Sequence, residues 1–254
     1  MSKITAIIQV RSGSLRFPKK VLEKIEGKQL IWHVINRIKQ VHSIEQIALA
    51  TTTLNEDKKL LDIAKELNII GFAGDENNVL NRFYDCATKI DADPIIRITG
   101  DCPLIDPFLV DSMIKFFLEH DFDYISNRIA PTYPDGLDTE IFSYNTLKSA
   151  KLNSKWHSEL EHVTPYITKH PEEFKLYNFQ NKNDLSHMRW CVDEKEDLIF
   201  VKKIFEKFRP KSIFSMEEIL NVINNEPKLL DINSGIIRDE GYLKSLKNDK
   251  KIQN

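Results

Sequence analysis

Apolar residues in the first half of the chain fall alternately into short unbroken runs and into stripes with helical spacing. KITAIIQV (residues 3–10) is β-branched and mostly apolar, the pattern of a buried strand. After a polar loop to about residue 28, residues 29–40 put Leu30, Ile31, Val34, Ile35 and Ile38 on one side of a helix. Strands are predicted again over 46–52, 69–74, 94–99 and 122–126, with helices over 56–67, 78–90 and 107–119 between them. The last helix opens on Pro107, whose fixed φ suits a first turn, and Asp106 stands where a cap would. Such alternation with short connections predicts an α/β fold: a parallel sheet covered by helices on both faces.

The second half is less regular. A strand is predicted near Glu140–Phe142, Ser143 caps a helix to about Leu152, and Thr164 followed by Pro165 reads as the start of another helix to His170. Residues 174–180 and 187–192 read as strands, Glu194 to Phe208 as a helix, and Ser215 with Glu218 as a capping box. Residues 240–254 are polar and lysine-rich, which predicts a frayed tail. No repeat or low-complexity linker divides the chain. The expected organisation is a main domain over residues 1–210, with 211–254 as a helical extension and tail of that same domain.

Composition narrows the class. Of 254 residues, 41% are hydrophobic and 29% charged, with 8 Gly and 10 Pro, which sets aside disorder, collagen-like repeats and coiled coil. No apolar run reaches the roughly 18 residues of a membrane span, and the short apolar start leads straight into a basic loop. Three isolated cysteines (Cys86, Cys102, Cys191) argue against a disulfide framework and fit a reducing, cytoplasmic setting. Net charge is −2, so a long polyanion such as nucleic acid is not the expected partner. Its distribution is uneven, because residues 1–40 hold nine Lys/Arg against two Glu. A basic segment on an acidic body points to one anionic ligand bound at one place.

Chemistry concentrates in three segments. RSGSLRFPKK (11–20) follows the first predicted strand, a favoured ligand position in an open parallel sheet. Arg11 and Arg16 offer planar forks, Lys19 and Lys20 mobile charges, and Gly13 between Ser12 and Ser14 allows backbone and hydroxyls close to phosphate oxygens. At roughly 1.5–3 kcal/mol per charge-assisted bond, three would hold a triphosphate before ordering costs are subtracted. The loop is neither a P-loop nor a dinucleotide fingerprint, and a solvated basic loop is the plain alternative. GDCPLID (100–106) lies beyond the strand ending at Thr99, so Asp101 points toward the ligand crevice; Mg²⁺ is commonly held by one or two such carboxylates plus phosphate oxygens. A simple turn ahead of Pro103 would equally place an aspartate there. RWCVDEKED (189–197) brings Asp193 to the start of a helix, where acids are common for electrostatic reasons alone.

In order along the chain, RSGSLRFPKKVL, ITGDCPLIDP, YPDGLDTEIFS, EHVTPYI and LSHMRWCVDEKEDL resemble the cytidylyltransferases of the spore-coat-polysaccharide-biosynthesis type, relatives of the enzymes that activate sialic acids and 3-deoxy-octulosonic acid. The resemblance covers about residues 4–208. It implies a three-layer, Rossmann-like nucleotidyltransferase fold with a mostly parallel mixed sheet, use of CTP with Mg²⁺, and a homodimer. By position, Arg11, Arg16 and Lys20 match the nucleotide-phosphate loop, and Asp101 and Asp193 match two metal-binding aspartates. Gln9, Ser12, Gly13, Ser14, Thr99 and Gly100 complete the implied nucleotide site. The segments holding Asp135, Asp138, Glu140, Glu161, His162 and Arg189 are implied to approach the acceptor, where Arg128 or Arg189 would meet an acidic sugar. The sequence departs from the family at Lys19, where glycine is frequent, and at Cys191, where threonine is usual.

The implied activity is transfer of a cytidylyl group to a sugar for surface polysaccharide or glycoconjugate synthesis, with release of pyrophosphate. A non-sugar acceptor is one alternative. Another is a glycosyltransferase with an Asp-x-Asp metal motif, for which Asp91-Ala-Asp93 and Asp121-Phe-Asp123 are available, though both precede strands at the end remote from the crevice. A nucleotide-binding regulator would keep the loop without the carboxylates. Trp32, Trp156 and Trp190 are read as packing residues, His33 and His42 as unexceptional, and no histidine pair has zinc-ligand spacing. His162 is poised between packing and substrate contact.

Overall fold

The computed structural model describes residues 2–14 and 16–252; Met1, Leu15 and the last two residues of the tail lie outside them. Strands and helices run β1 (Lys3–Gln9), β2 (Lys24–Ile25), β3 (Lys28–Gln29), α1 (Leu30–Ile38), β4 (Gln46–Thr52), α2 (Lys58–Glu66), β5 (Ile70–Gly74), α3 (Val79–Lys89), β6 (Ala92–Thr99) and α4 (Pro107–Glu119). They continue with β7 (Tyr124–Ser126), β8 (Glu140–Phe142), α5 (Tyr144–Asn153), α6 (His157–His162), α7 (Pro165–Lys169), β9 (Leu176–Asn178), α8 (Lys195–Phe208), α9 (Met216–Asn225) and α10 (Glu240–Lys247). The main sheet has seven strands in the order β5-β4-β1-β6-β8-β7-β9. Only β8 runs against its neighbours; the rest are parallel. β2 and β3 form a separate hairpin around Gly27 at φ +77°, a backbone shape that a glycine adopts freely.

Alternation along the strands divides the core into two layers, as two-sided burial requires. Ala6, Ile8, Leu49, Ile96 and Ile98 face α1, α4 and α8, while Ile7, Ala48, Ala50 and Ile95 face α3 and α5. Register sets the carboxyl ends level: Gln9 lies opposite Thr99 and Ala50. Loops leaving β1 and β6 therefore emerge side by side. Caps agree with the sequence reading. Asp106 accepts from the amides of Phe108 and Leu109, Ser143 from Thr146, and Ser215 from Glu218.

Three readings are corrected. Residues 187–192 form no strand of the sheet, only a single bridge between Asp135 and Arg189. Residues 188–192 are all buried, as in an inner strand, but the backbone stitches loops together: the amide of Trp190 donates to the carbonyl of Asp135 and that of Val192 to Asp101. Thr164 precedes a helix opening on Pro165, yet it has helical φ/ψ and its hydroxyl donates to Glu140 instead of capping. The lysine-rich tail is not frayed within the described residues. It forms α10, and beyond that helix the amide of Ile252 donates to the carbonyl of Lys155.

One buried cation ties the C-terminal extension to the domain. Arg37 of α1 is fully buried, stacks on the Phe214 ring at 4.5 Å, and donates to the carbonyls of Ile105, Ser212 and Phe214. Replacing it would leave three carbonyls without a donor. Arg37→Met is expected to lose about 3 kcal/mol, a fall of roughly 6–12 °C in Tm by calorimetry.

Candidate active site

Two cavities open at the carboxyl ends of the central strands. The larger, of about 500 Å³, runs from Arg11 and Arg82 to Lys20 and Asp101; the smaller, of about 200 Å³, lies over Arg128, Asp135 and Asp138. Their walls share Gln9, Arg16, Thr99, Asp101, His162 and Asp193. Two compartments thus meet at two aspartates.

The loop after β1 is shaped from beneath. Buried Asp57 receives the amide of Ser12 at 2.8 Å, the Ser12 hydroxyl and the Thr52 hydroxyl. These donors outweigh its burial and hold its carboxyl below the usual range. Ser12 therefore anchors the loop and does not line the cavity. Gly13 also stands outside the lining, whereas Ser14, Arg11, Arg16 and Lys20 face in. The amides of Ser14 and Lys19 both donate to the carbonyl of Ser12, and Lys19 sits at φ +62°. That left-handed conformation explains why a glycine suits this position.

Lys20 is the centre of the site. Its ammonium lies 2.8 Å from Asp101 Oδ2 and 2.6 Å from Asp193 Oδ1, bringing together carboxylates that are 92 positions apart in sequence. Burial acts to lower the Lys20 pKa, but the two carboxylates overcome it and raise the value. Asp193 also receives Arg16 at 3.0 Å and Arg189 at 3.0 Å. Burial would push its carboxyl up, yet Lys20, Arg16 and Arg189 bring it down to about 2. Asp193 is accordingly ionised at neutral pH.

Close backbone approach places both aspartates. Gly100 donates its amide to the Gln9 carbonyl at 2.8 Å, and a Cβ there would stand 2.7 Å from Val10 Cβ. Asp197, fully buried at the start of α8, accepts from the amides of Asp193 and Glu194 and from Arg189 Nε. Gly136, at φ +109°, lets the chain pass Trp190 and Cys191: a Cβ would lie 2.5 Å from the Cys191 amide nitrogen.

The implied acceptor residues divide into two groups. Asp135 and Asp138 line the smaller cavity, and burial followed by repulsion from Asp138 pushes the Asp135 carboxyl up to about 6. His162 touches both cavities; burial, with Arg97 and Arg128 nearby, lowers it to about 4, so its ring is neutral near pH 7. Glu161 reaches the larger cavity and accepts from the Ser245 hydroxyl. Arg189 lines neither cavity, whereas Glu140 lines the smaller one while also tying other side chains together. Arg189 is only 7% exposed and donates to Asp135, Asp193 and Asp197, so it positions carboxylates instead of presenting a fork to a ligand. Glu140 is 2% exposed and accepts from Tyr124, Thr164 and Arg97, which makes it an anchor for Arg97.

The two Asp-x-Asp pairs have local duties. Asp93 accepts from the Tyr144 amide, and Asp121 and Asp123 receive Lys175, all at the opposite ends of the strands. Sequence reading overlooked Asp57, Asp197 and Arg82. Asp197 had a signal as the third helical residue of α8, where a carboxylate can reach back to the cap amide. Arg82 gave none, since an arginine inside an amphipathic helix is ordinary; here it is 1% exposed and faces the nucleotide-sized cavity.

Comparison with known proteins shows the family. A cytidylyltransferase of Leptospira borgpetersenii superimposes with a TM-score of 0.87 at 30% identity, covering 91% of this chain and 97% of that one. The spore coat polysaccharide biosynthesis protein SpsF of Bacillus subtilis is 29% identical over 236 residues, 89% of this chain and 96% of that protein. The 3-deoxy-manno-octulosonate cytidylyltransferase of Trichlorobacter lovleyi is 33% identical over 118 residues, 46% of this chain and 45% of that enzyme. The family profile described as cytidylyltransferase matches residues 5–235, so this chain belongs to the cytidylyltransferases and is a nucleotidyltransferase of their fold.

Proposed function

We propose that the protein transfers the cytidylyl group of CTP to a hydroxyl of an acidic sugar, as a step toward surface polysaccharide or glycoconjugate. The observation that carries this reading is the meeting of two cavities at Asp101, Asp193 and Lys20. A donor nucleotide fits the larger compartment, beside Arg11 and Arg16. A smaller acceptor fits the other, and only at the shared wall can the two react. The likeness to an octulosonate-activating enzyme, although confined to half the chain, favours a sugar acid.

In this reading Arg11, Arg16 and Lys20 hold the triphosphate, and Gln9 and Thr99 floor the junction. The acceptor hydroxyl attacks the α-phosphorus in line, the bond to the β-phosphate oxygen breaks, and pyrophosphate leaves with that electron pair. Lys20 and Arg16 would neutralise charge that develops on the phosphoryl oxygens, where fixed charges act without reorganisation. Two facing carboxylates, with Asp193 held ionised, also match the oxygen donors that Mg²⁺ requires. A Mg²⁺ bound by Asp101 and Asp193 would supply further neutralisation and lower the pKa of the acceptor hydroxyl.

A pyrophosphate-release screen should show CTP preferred over ATP, GTP and UTP, with a sugar acid such as 3-deoxy-manno-octulosonate or N-acetylneuraminate as co-substrate. Pyrophosphate release that needs no acceptor, or sugar transfer from a preformed nucleotide sugar, would refute the reading. Asp101→Asn is expected to lower kcat at least about 100-fold with a CTP Kd within about threefold of wild type, as measured by steady-state kinetics and calorimetry. Chelation should abolish turnover, and Mg²⁺ should restore it. His162 is held below its ordinary pKa, so its contribution to stability is complete above about pH 6.5 and is lost as pH falls toward 4. Denaturant titrations over that window should show a shallower pH dependence for His162→Gln than for wild type.

A further inference from the structure

The C-terminal segment lies over both cavities. Gly241 touches each, Asp239, Glu240 and Tyr242 line the smaller, and Lys244 and Ser245 line the larger. The match to the family profile, residues 5–235, ends before this cover.

Its contacts are of two kinds. At either end the segment is fastened to the domain. Arg238 donates to the carbonyl of Tyr133 and to Asp138, and Asp249 accepts both the amide and the hydroxyl of Ser158. Between these fastenings, the main charged contacts are made by two adjacent carboxylates. Glu240 lies 2.9 Å from Arg16, and Asp239 lies 2.7 Å from Arg128. Arg16 belongs to the phosphate loop and Arg128 to the acceptor cavity, so each carboxylate occupies a guanidinium that faces ligand space. Both pairs are partly exposed, with side-chain accessibilities between 23% and 35%. Such pairs are weak and exchangeable, unlike the fully buried Glu140–Arg97 pair. Further contacts are made by Tyr242, which packs edge-on against His162, and by Ser245, which donates to the Glu161 carboxylate and lies within hydrogen-bond distance of His162.

We propose that residues 239–247 form an autoinhibitory strap. Glu240 and Asp239 stand in for ligand anions at Arg16 and Arg128, and they are exchanged when the cleft fills. A nucleotide triphosphate takes Arg16 from Glu240, and an anionic acceptor takes Arg128 from Asp239. With both pairs broken, the middle of the strap lifts while Arg238 and Asp249 keep its ends in place. The inference rests on the nucleotide reading above, because it needs a polyanion at Arg16. By linkage, whatever loosens the strap tightens nucleotide binding by the same factor.

The test uses the full-length protein with CTP and Mg²⁺ and without acceptor. Calorimetry should show Glu240→Gln binding CTP about three- to fivefold more tightly than wild type, the scale of one partly exposed ion pair. In the wild type, hydrogen exchange of amides 240–247 should speed up when CTP is added, while the amide of Ser158 stays protected. An unchanged CTP Kd in Glu240→Gln, or slower exchange of the strap with CTP, overturns the proposal. A wild type that binds CTP no better than ATP would instead overturn the nucleotide reading itself, so the two failures are distinguishable.

Discussion

A single ammonium group, that of Lys20, holds two negative charges together in a partly dehydrated cleft. Asp101 comes from the end of β6 and Asp193 from the approach to α8, and each would repel the other at this spacing without a cation between them. Burial makes the arrangement expensive, and the sum of three cations around Asp193 outweighs that cost. Much of the neighbouring architecture serves to keep these groups aligned. Asp57 shapes the loop that delivers Lys20, Gly100 lets the loop carrying Asp101 lie against Val10, and Asp197 turns the chain so that Asp193 faces inward.

Parallel strands make that alignment economical. Because β1, β4 and β6 share direction and register, the loops at their carboxyl ends open onto one crevice. β7 runs with β6 and antiparallel β8 runs back, so their connection brings Arg128, Asp135 and Asp138 to the same end as the loop after β1. The placement of the two cavities is thus a consequence of strand direction, and Asp101 and Asp193 lie in the wall they share.

Most of the first half could be read from residue pattern alone, because each strand and helix there buries a face against its sequence neighbours. Strand 46–52 and helix 107–119 have the predicted bounds. Lys20, Asp101 and Asp193 were visible as charged residues at strand ends or helix starts, although their convergence depends on topology that local periodicity does not contain. Residues 187–192 show the limit most clearly. Residues 188–192 are buried throughout, but their hydrogen bonds go to loops, and burial cannot distinguish a ladder from a stitch. Arg189 looked like a free cation because its three aspartate partners are partly remote in sequence. The tail reads as frayed in sequence because α10 is polar on most sides and is held by ion pairs and a serine hydrogen bond, which leave little apolar signature.

The absent side chain at Gly136 has a bearing on engineering. Since a Cβ there would collide with the Trp190–Cys191 peptide, and Asp135 exchanges backbone hydrogen bonds with Met188 and Trp190, the segment bearing Asp135 and Asp138 is locked to the segment leading to Asp193. Transplanting the 133–140 loop from a relative would disturb the surroundings of Asp193 as well as the smaller cavity. Chimeras that exchange 133–140 and 187–197 as one matched cassette would preserve the fit between them.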